Sequence, residues 1–174
     1  LEATDDLDAV LVLDLTGLQG SAPLCLADTG KTPLITTEPQ SSDDLRTARG
    51  RLLSTAVASD TQLELAARSA EARSFLTGAT IAVVVSDTPG QSEAVSDGLL
   101  ETMEDLGYEI QVHPIGCEGT TTCWVGLQTA VERMISDGST VVFPVLNAVS
   151  LPGLLTEMIR QGMPKPVFIQ TGLN

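Results

Sequence analysis

Thr80-Ile81-Ala82-Val83-Val84-Val85, then Ser86-Asp87-Thr88-Pro89-Gly90, then Gln91 through Val112, is the stretch that decides the fold. The first six residues are apolar or β-branched with no alternation, the pattern of a strand buried on both faces. Ser86 to Gly90 supplies turn and helix-capping groups. From Gln91 to Leu106 the apolar residues Val95, Leu99, Met103 and Leu106 recur at helical spacing, with Ser96, Asp97, Glu101 and Glu104 between them. Gly107 is a C-terminal stop, and Glu109-Ile110-Gln111-Val112 reads as the next strand. Strand, helix and strand within about 30 residues form a βαβ unit with a right-handed crossover.

The same grammar extends in both directions. Upstream, Leu7 to Leu13 reads as a buried strand, Leu18 to Ala27 as a short helix, and Pro33 to Thr36 as a second strand. Thr37 to Gly50 is polar and reads as loop, and Arg51 to Val57 as a strand. Ser59 and Gln62 stand at capping-box spacing ahead of an Ala-rich helix reaching Leu76. Downstream, the pattern predicts a helix from Trp124 to Asp137 and a strand from Thr140 to Val145. A helix from Ser150 to Gln161 and a strand from Pro166 to Gln170 complete it. Helices alternating with buried-type strands predict an α/β fold: an open parallel sheet with helices on both faces, in Rossmann- or flavodoxin-like lobes. From Ser59 onward the units are complete. Before it there are too few elements for an independent doubly wound domain.

A chain of 174 residues has room for one domain or two small lobes. Hydrophobic residues at 43% exclude a disordered chain. The net charge of −14, with nine Lys and Arg in all, argues against nucleic acid and anionic membranes as partners. No apolar run is long enough to span a bilayer.

The chain offers little for catalysis. It contains one histidine, His113, so any Ser-His-Asp or Cys-His device must use it; a surface or hydrogen-bonded structural histidine is the simpler reading. Asp87-Thr88-Pro89-Gly90-Gln91 has one glycine, whereas dinucleotide and P-loop motifs need several at fixed spacing, so no cofactor is expected. Asp5-Asp6 and Asp43-Asp44 read as solvated surface, and Trp124 as an anchor at a helix start. Cys25, among apolar residues, reads as a small buried hydrophobe. Cys117 and Cys123 lie six positions apart in a Gly- and Thr-rich loop. That loop can bring them together as a disulfide, which would imply an oxidising compartment, or leave two unpaired thiols.

In open α/β sheets, ligands bind outside the carboxyl ends of the strands. That rule selects Asp14-Leu15-Thr16, Thr37-Glu38-Pro39-Gln40, Ser86-Asp87-Thr88, Leu146-Asn147 and Gln170-Thr171. The candidate lining residues are Thr16, Glu38, Gln40, Asp87, Thr88, Asn147 and Thr171.

The order of these elements and several local phrases resemble the type I periplasmic binding proteins, in particular the branched-chain amino-acid (Leu/Ile/Val) binding branch. Asp8-Ala9-Val10 through Thr16-Gly17 is similar to the family's first strand and ligand loop, and Gly30 through Thr36 to its "G-VPLIS" segment. Ala58-Ser59-Asp60-Thr61-Gln62 resembles the hinge-proximal "PSDxxQ", and Ile81 to Gly90 resembles "VAVVYDDTPYG". Gly138 to Val145, Ile159 to Gly162 and Phe168 to Gly172 are similar to later family segments.

The resemblance covers the middle of such a protein. It implies that residues 1–57 are the latter part of a first lobe and residues 58–174 most of a second, three-layer lobe. It implies an extracytoplasmic solute-binding protein, possessing no catalytic activity, that closes two lobes around a small polar metabolite. The partners implied are that ligand and the membrane permease of an ABC-type transporter, or a sensory system, with lipid anchoring as an option for the full-length protein. The first lobe's missing partners also raise the expectation of a homo-dimer. Thr16 falls near the family's ligand-holding serine, and residues 38–41 near its second ligand loop. The sequence departs from the family where Thr171 replaces the acid that pairs with an amino group, so an amino-acid ligand does not follow. The competing reading is a flavodoxin-like or hydrolase-like α/β enzyme with an unrecognised site.

Overall fold

The computed structural model describes residues 9–15, 18, 21–88, 90–117 and 123–170. The chain divides into two compact units, Leu1–Gln62 and Leu63–Asn174.

The first unit holds three short parallel strands in the order β1-β2-β3: Val12–Asp14, Leu34–Thr36 and Leu52–Ser54. Helix α1, Ala22–Thr29, follows β1, and α2, Ser42–Thr47, follows β2. Strand alternation sorts the side chains. Leu34 and Leu52 lie in register and are 1% exposed, packed with Ala27 of α1, with Ala48, and with Val12 and Leu45. The next register row, Leu13, Ile35 and Leu53, points the other way. Leu13 is 59% and Leu53 51% exposed. Among the described residues, therefore, the helices of this unit cover one face of its sheet.

Two readings of this region are corrected. The polar stretch 37–50 contains helix α2, started by Ser41, whose Oγ accepts the Asp44 amide at 3.0 Å, with Asp43 and Asp44 at the favourable end of the dipole. The Ser41-to-Asp44 spacing signals that cap, but the six-residue helix has no buried residue of its own and hence no apolar stripe. Cys25 is an exposed free thiol; Pro23 and Ala27 are the buried positions of α1.

Helix α3, Ser59–Ala72, leads into the second unit. There β4 (Ile81–Ser86), β5 (Ile110–Ile115), β6 (Val141–Val145) and β7 (Val167–Phe168) form one parallel sheet in the order β5-β4-β6-β7. All six residues of β4 are buried, the apolar run Ile81 to Val85 as predicted for a strand with neighbours on both sides, and the polar Ser86 at its end with them. Its connection to β5 is one helix, α4, built from Gln91–Ala94, a π-helical stretch Val95–Leu100, and Glu101–Asp105. Gly107, with φ at +81°, takes the left-handed conformation that ends it. Helix α5, Leu127–Ser136, precedes β6, and α6, Leu151–Arg160, follows it.

Two apolar clusters fill the two faces of this sheet. Ile81, Val83, Val85 and Phe143 pack with Leu63 and Ala67 of α3 and with Val95, Leu99 and Met103 of α4. Ala82, Val84 and Val142 pack against Leu127, Val131 and Met134 of α5 and Leu154 and Met158 of α6. The two central strands, β4 and β6, thus send alternate residues into opposite cores. No helix among the described residues is long and apolar enough to cross a membrane.

Candidate functional site

The topology of the second unit places a crevice. The chain leaves β4 towards β5 through α4 on one face, and leaves β6 towards β7 through α6 on the other. Adjacent parallel strands whose onward helices lie on opposite faces open a crevice at their carboxyl ends, the usual ligand position in such sheets. The last register pair of β4 and β6 is Val85↔Val145, and two residues beyond it on each strand stand Asp87 and Asn147. Two candidate residues from separate stretches therefore flank one crevice.

The loop after β4 is built from its own side chains. Ser86 is fully buried, and its hydroxyl is hydrogen-bonded to Thr88 Oγ1 at 3.1 Å and to Gln91 Oε1. The Asp87 amide donates to the Ile115 carbonyl at 3.0 Å, which ties the loop to the end of β5. Asp87 Oδ1 accepts the Cys117 amide at 2.9 Å, and Thr88 Oγ1 lies 3.5 Å from Cys117 Sγ. Asp87 is exposed and Thr88 half-buried. After β6, Asn147 Oδ1 accepts the Ser150 amide at 2.8 Å.

Cys117 and Cys123 are joined by a disulfide, with their Cα atoms 3.8 Å apart. Beneath it, Gly116 and Val125 pair antiparallel, through amide–carbonyl distances of 2.8 and 3.2 Å. Trp124, next in the chain, is half-exposed and lies over α6. A Cβ on Gly153 would fall 2.1 Å from Trp124 Cζ3, so only glycine admits the ring there. Trp124, Leu127, Val149 and Pro152 line a hollow of about 350 Å³ between the starts of α5 and α6.

In the first unit, the carboxyl ends of the strands carry a second polar set. Asp14 is buried, and its Oδ2 accepts from the Leu18 amide at 2.8 Å and the Thr36 hydroxyl at 2.9 Å. Thr36 Oγ1 in turn accepts the Glu38 amide at 3.1 Å, and the Ser54 hydroxyl donates to the Glu38 carbonyl at 2.9 Å. Gln40 is buried and donates from Nε2 to the carbonyls of Glu38 and Pro39. Its amide holds the loop in shape. Glu38 is half-buried. Thr16 and Thr171 lie outside the described residues. Asp14, Thr36, Ser54 and Ser150 complete these networks; the carboxyl-end rule selects the stretch that holds Asp14, whereas Thr36 and Ser54 read as ordinary strand residues and Ser150 as the start of its helix.

His113 stands at the fourth position of β5, in register with Val84. That places it within the sheet, short of the carboxyl edge. It is buried, and among the described residues its Nε2 has no hydrogen-bond partner, which corrects the reading of a surface or hydrogen-bonded histidine. Burial holds its pKa below the ordinary value of 6.5; the Arg133 charge acts in the same direction and the Asp137 carboxylate opposes it. A depressed folded pKa means that the unfolded chain binds the proton first as pH falls. The stability associated with neutral His113 is therefore intact above pH 6.5 and is lost progressively below it. Thermal midpoints should fall between pH 7 and 5, and His113→Leu should flatten that fall, since carboxylates titrate mostly below this window. Equal slopes for variant and parent would remove His113 from the account. Among the described residues, no group of three His, Cys, Asp or Glu is placed to hold a metal ion.

No protein-family model matches the chain, and no curated protein matches it. Solved structures do. A solute-binding protein of an ABC transporter from Rhodopseudomonas palustris BisB5, in complex with 3,4-dihydroxybenzoic acid, superposes with a TM-score of 0.73 at 14% identity, over 97% of this chain and 44% of that one. A periplasmic binding protein from Burkholderia mallei gives 0.75 at 11% identity, over 96% and 43%. The fold is that of the type I periplasmic binding proteins. A leucine-binding protein from Thermotoga maritima shares this periplasmic-binding-protein fold, with a TM-score of 0.72 at 12% identity, over 97% and 46%. The chain spans less than half the length of each of these three structures.

Proposed function

We propose that the chain is the ligand-contacting part of a solute-binding protein that holds a small polar or amphipathic metabolite reversibly and without turnover. The observation that carries this reading is the pairing of Asp87 and Asn147 at the carboxyl ends of β4 and β6, where the onward helices diverge. Hydrogen-bonding groups there, on a rigid sheet, suit orientation of a small ligand. Thr88 belongs to the same crevice. Glu38, with Gln40 shaping its loop, is the corresponding contact in the first unit, and Thr16 and Thr171 complete the candidate set. The periplasmic-binding-protein fold supports a partner permease of an ABC-type transporter, or a sensory system, and a place outside the cytoplasm. The Cys117–Cys123 disulfide suits that oxidising setting.

The ligands for which similar solved structures are named supply starting probes: 3,4-dihydroxybenzoate, 4-hydroxybenzoate and leucine. A thermal-shift screen of these and a wider metabolite set, run on the full-length gene product and on this chain, should find a saturable stabiliser. A specific ligand at a hundred times its Kd contributes about 2.7 kcal/mol. Combining Thr16→Ala with Thr88→Ala should weaken that response. An absence of any stabilising solute, together with a turnover abolished by His113→Ala, would replace this reading with that of an enzyme.

A further inference from the structure

A continuous link crosses the second unit from one flank of the β4/β6 crevice to the other. Asp87 Oδ1 accepts the Cys117 amide at 2.9 Å. Cys117 is bonded to Cys123, whose amide donates to Ser150 Oγ at 3.0 Å. The Ser150 amide donates to Asn147 Oδ1 at 2.8 Å. Both half-cystines belong to the apolar cluster on the α5/α6 face of the sheet, and the link joins the loop after β5 to the start of α6 on that side.

Ser150 shows that this link has a definite construction. A serine at a helix N-cap ordinarily turns its hydroxyl onto the first-turn amides of its own helix. Ser150 makes no such bond. Its hydroxyl is fully buried and serves the Cys123 amide, from a loop 27 positions away in sequence. The Gly116–Val125 pairing and the Thr88–Cys117 contact at 3.5 Å fix the near end of the same link.

We propose that the Cys117–Cys123 bridge and Ser150 are positioning residues, forming a brace that sets the placement of Asp87 relative to Asn147 before a solute arrives. The inference rests on the solute-binding reading for its purpose, though not for its geometry. A crevice held in its binding shape spares the ligand the cost of ordering two loops, and affinity rises accordingly. The brace also fixes how wide the crevice is, which makes it a determinant of which solutes fit.

The test separates a brace from a simple loop closure by reading amide exchange with NMR on the oxidised 174-residue chain. Ser150→Ala leaves the disulfide closed and removes one link. In a brace, the Cys117 amide, on the other side of the bridge, then exchanges about tenfold faster, as coupled groups require. Asn147→Ala, which cuts the far end, should accelerate the same amide, and Ser150→Thr should restore protection. If Ser150→Ala and Asn147→Ala leave the Cys117 amide unchanged, the residues act independently and the brace is refuted. A second readout uses whichever of 3,4-dihydroxybenzoate, 4-hydroxybenzoate or leucine stabilises the parent: its Kd should weaken about tenfold in Ser150→Ala and recover in Ser150→Thr. Unchanged affinity in Ser150→Ala would equally overturn the proposal. Should none of the three stabilise the chain, a stabiliser from the wider screen takes their place in this readout, and the exchange data decide the brace independently of the solute-binding reading.

Discussion

Replacing Phe143 by alanine should lower the unfolding free energy of the second unit by about 4 kcal/mol. Among the described residues Phe143 is the largest of the fully buried side chains, at the middle of β6, in one core cluster with Ile81, Val83, Leu99 and Met103. Those neighbours come from the adjacent strand β4 and from helix α4, whose backbones are held by their own hydrogen bonds, so they cannot collapse far into the space left behind. Lost transfer energy and the residual cavity then add. Trp124, the chain's one tryptophan and a member of the same unit, supplies the fluorescence signal for urea unfolding. With a slope near 2 kcal/mol per molar, the midpoint should drop by about 2 M. A drop worth less than about 1 kcal/mol would mean that the two layers do not pack through this residue. Leu53→Ala, on the uncovered face of the first sheet, is the control: at 51% exposure it should change stability by less than about 0.5 kcal/mol.

Serine at both Cys117 and Cys123 should cost the second unit about 2 kcal/mol. The six-position separation closes a short loop, which removes less freedom from the unfolded chain than a long one would, so the value lies at the low end for a disulfide. Urea unfolding of the oxidised parent beside the double variant measures it. The state of the thiols is checked by alkylation without reduction: one adduct is expected, on the exposed Cys25. Three adducts on the parent would contradict the bridge.

What the sequence reveals and what it conceals follow from the same physics. Strand β4 is legible because a strand with neighbours and helices on both sides has no polar face; six consecutive buried positions leave one kind of sequence. Helices α5 and α6 are legible because each buries a single stripe, Leu127, Val131 and Met134 in one, Leu154 and Met158 in the other. Helix α2 escapes because it buries nothing, and only the Ser41 cap betrays it. Cys25 misleads because apolar neighbours in sequence alternate around a helix, and its own direction is outward. The site is half legible. The carboxyl-end rule finds Asp87 and Asn147, yet nothing in the sequence says that they flank the same crevice, since that depends on β6 docking beside β4. Nor does it say that Gln40 is occupied by its own loop, or that Ser150 turns its hydroxyl away from its helix.

The π-helical stretch in α4 has a consequence for comparing this chain with others. Its buried residues Val95, Leu99 and Met103 repeat strictly every four positions. In an α-helix such a repeat drifts by about 40° per step, and the stripe would turn away from the sheet. The wider turn, with the Glu101 amide reaching back five residues to the Ser96 carbonyl, takes up that drift. Removing one residue between Val95 and Leu99 would leave the three apolar positions at i, i+3 and i+7, the spacing an ordinary helix wants. The helix therefore carries one residue that an α-helical counterpart would not need. An alignment with a chain one residue shorter should open its gap inside this turn, with Val95 and Met103 kept in their columns. Placed in a neighbouring loop instead, the gap would misregister every buried position between that loop and this turn.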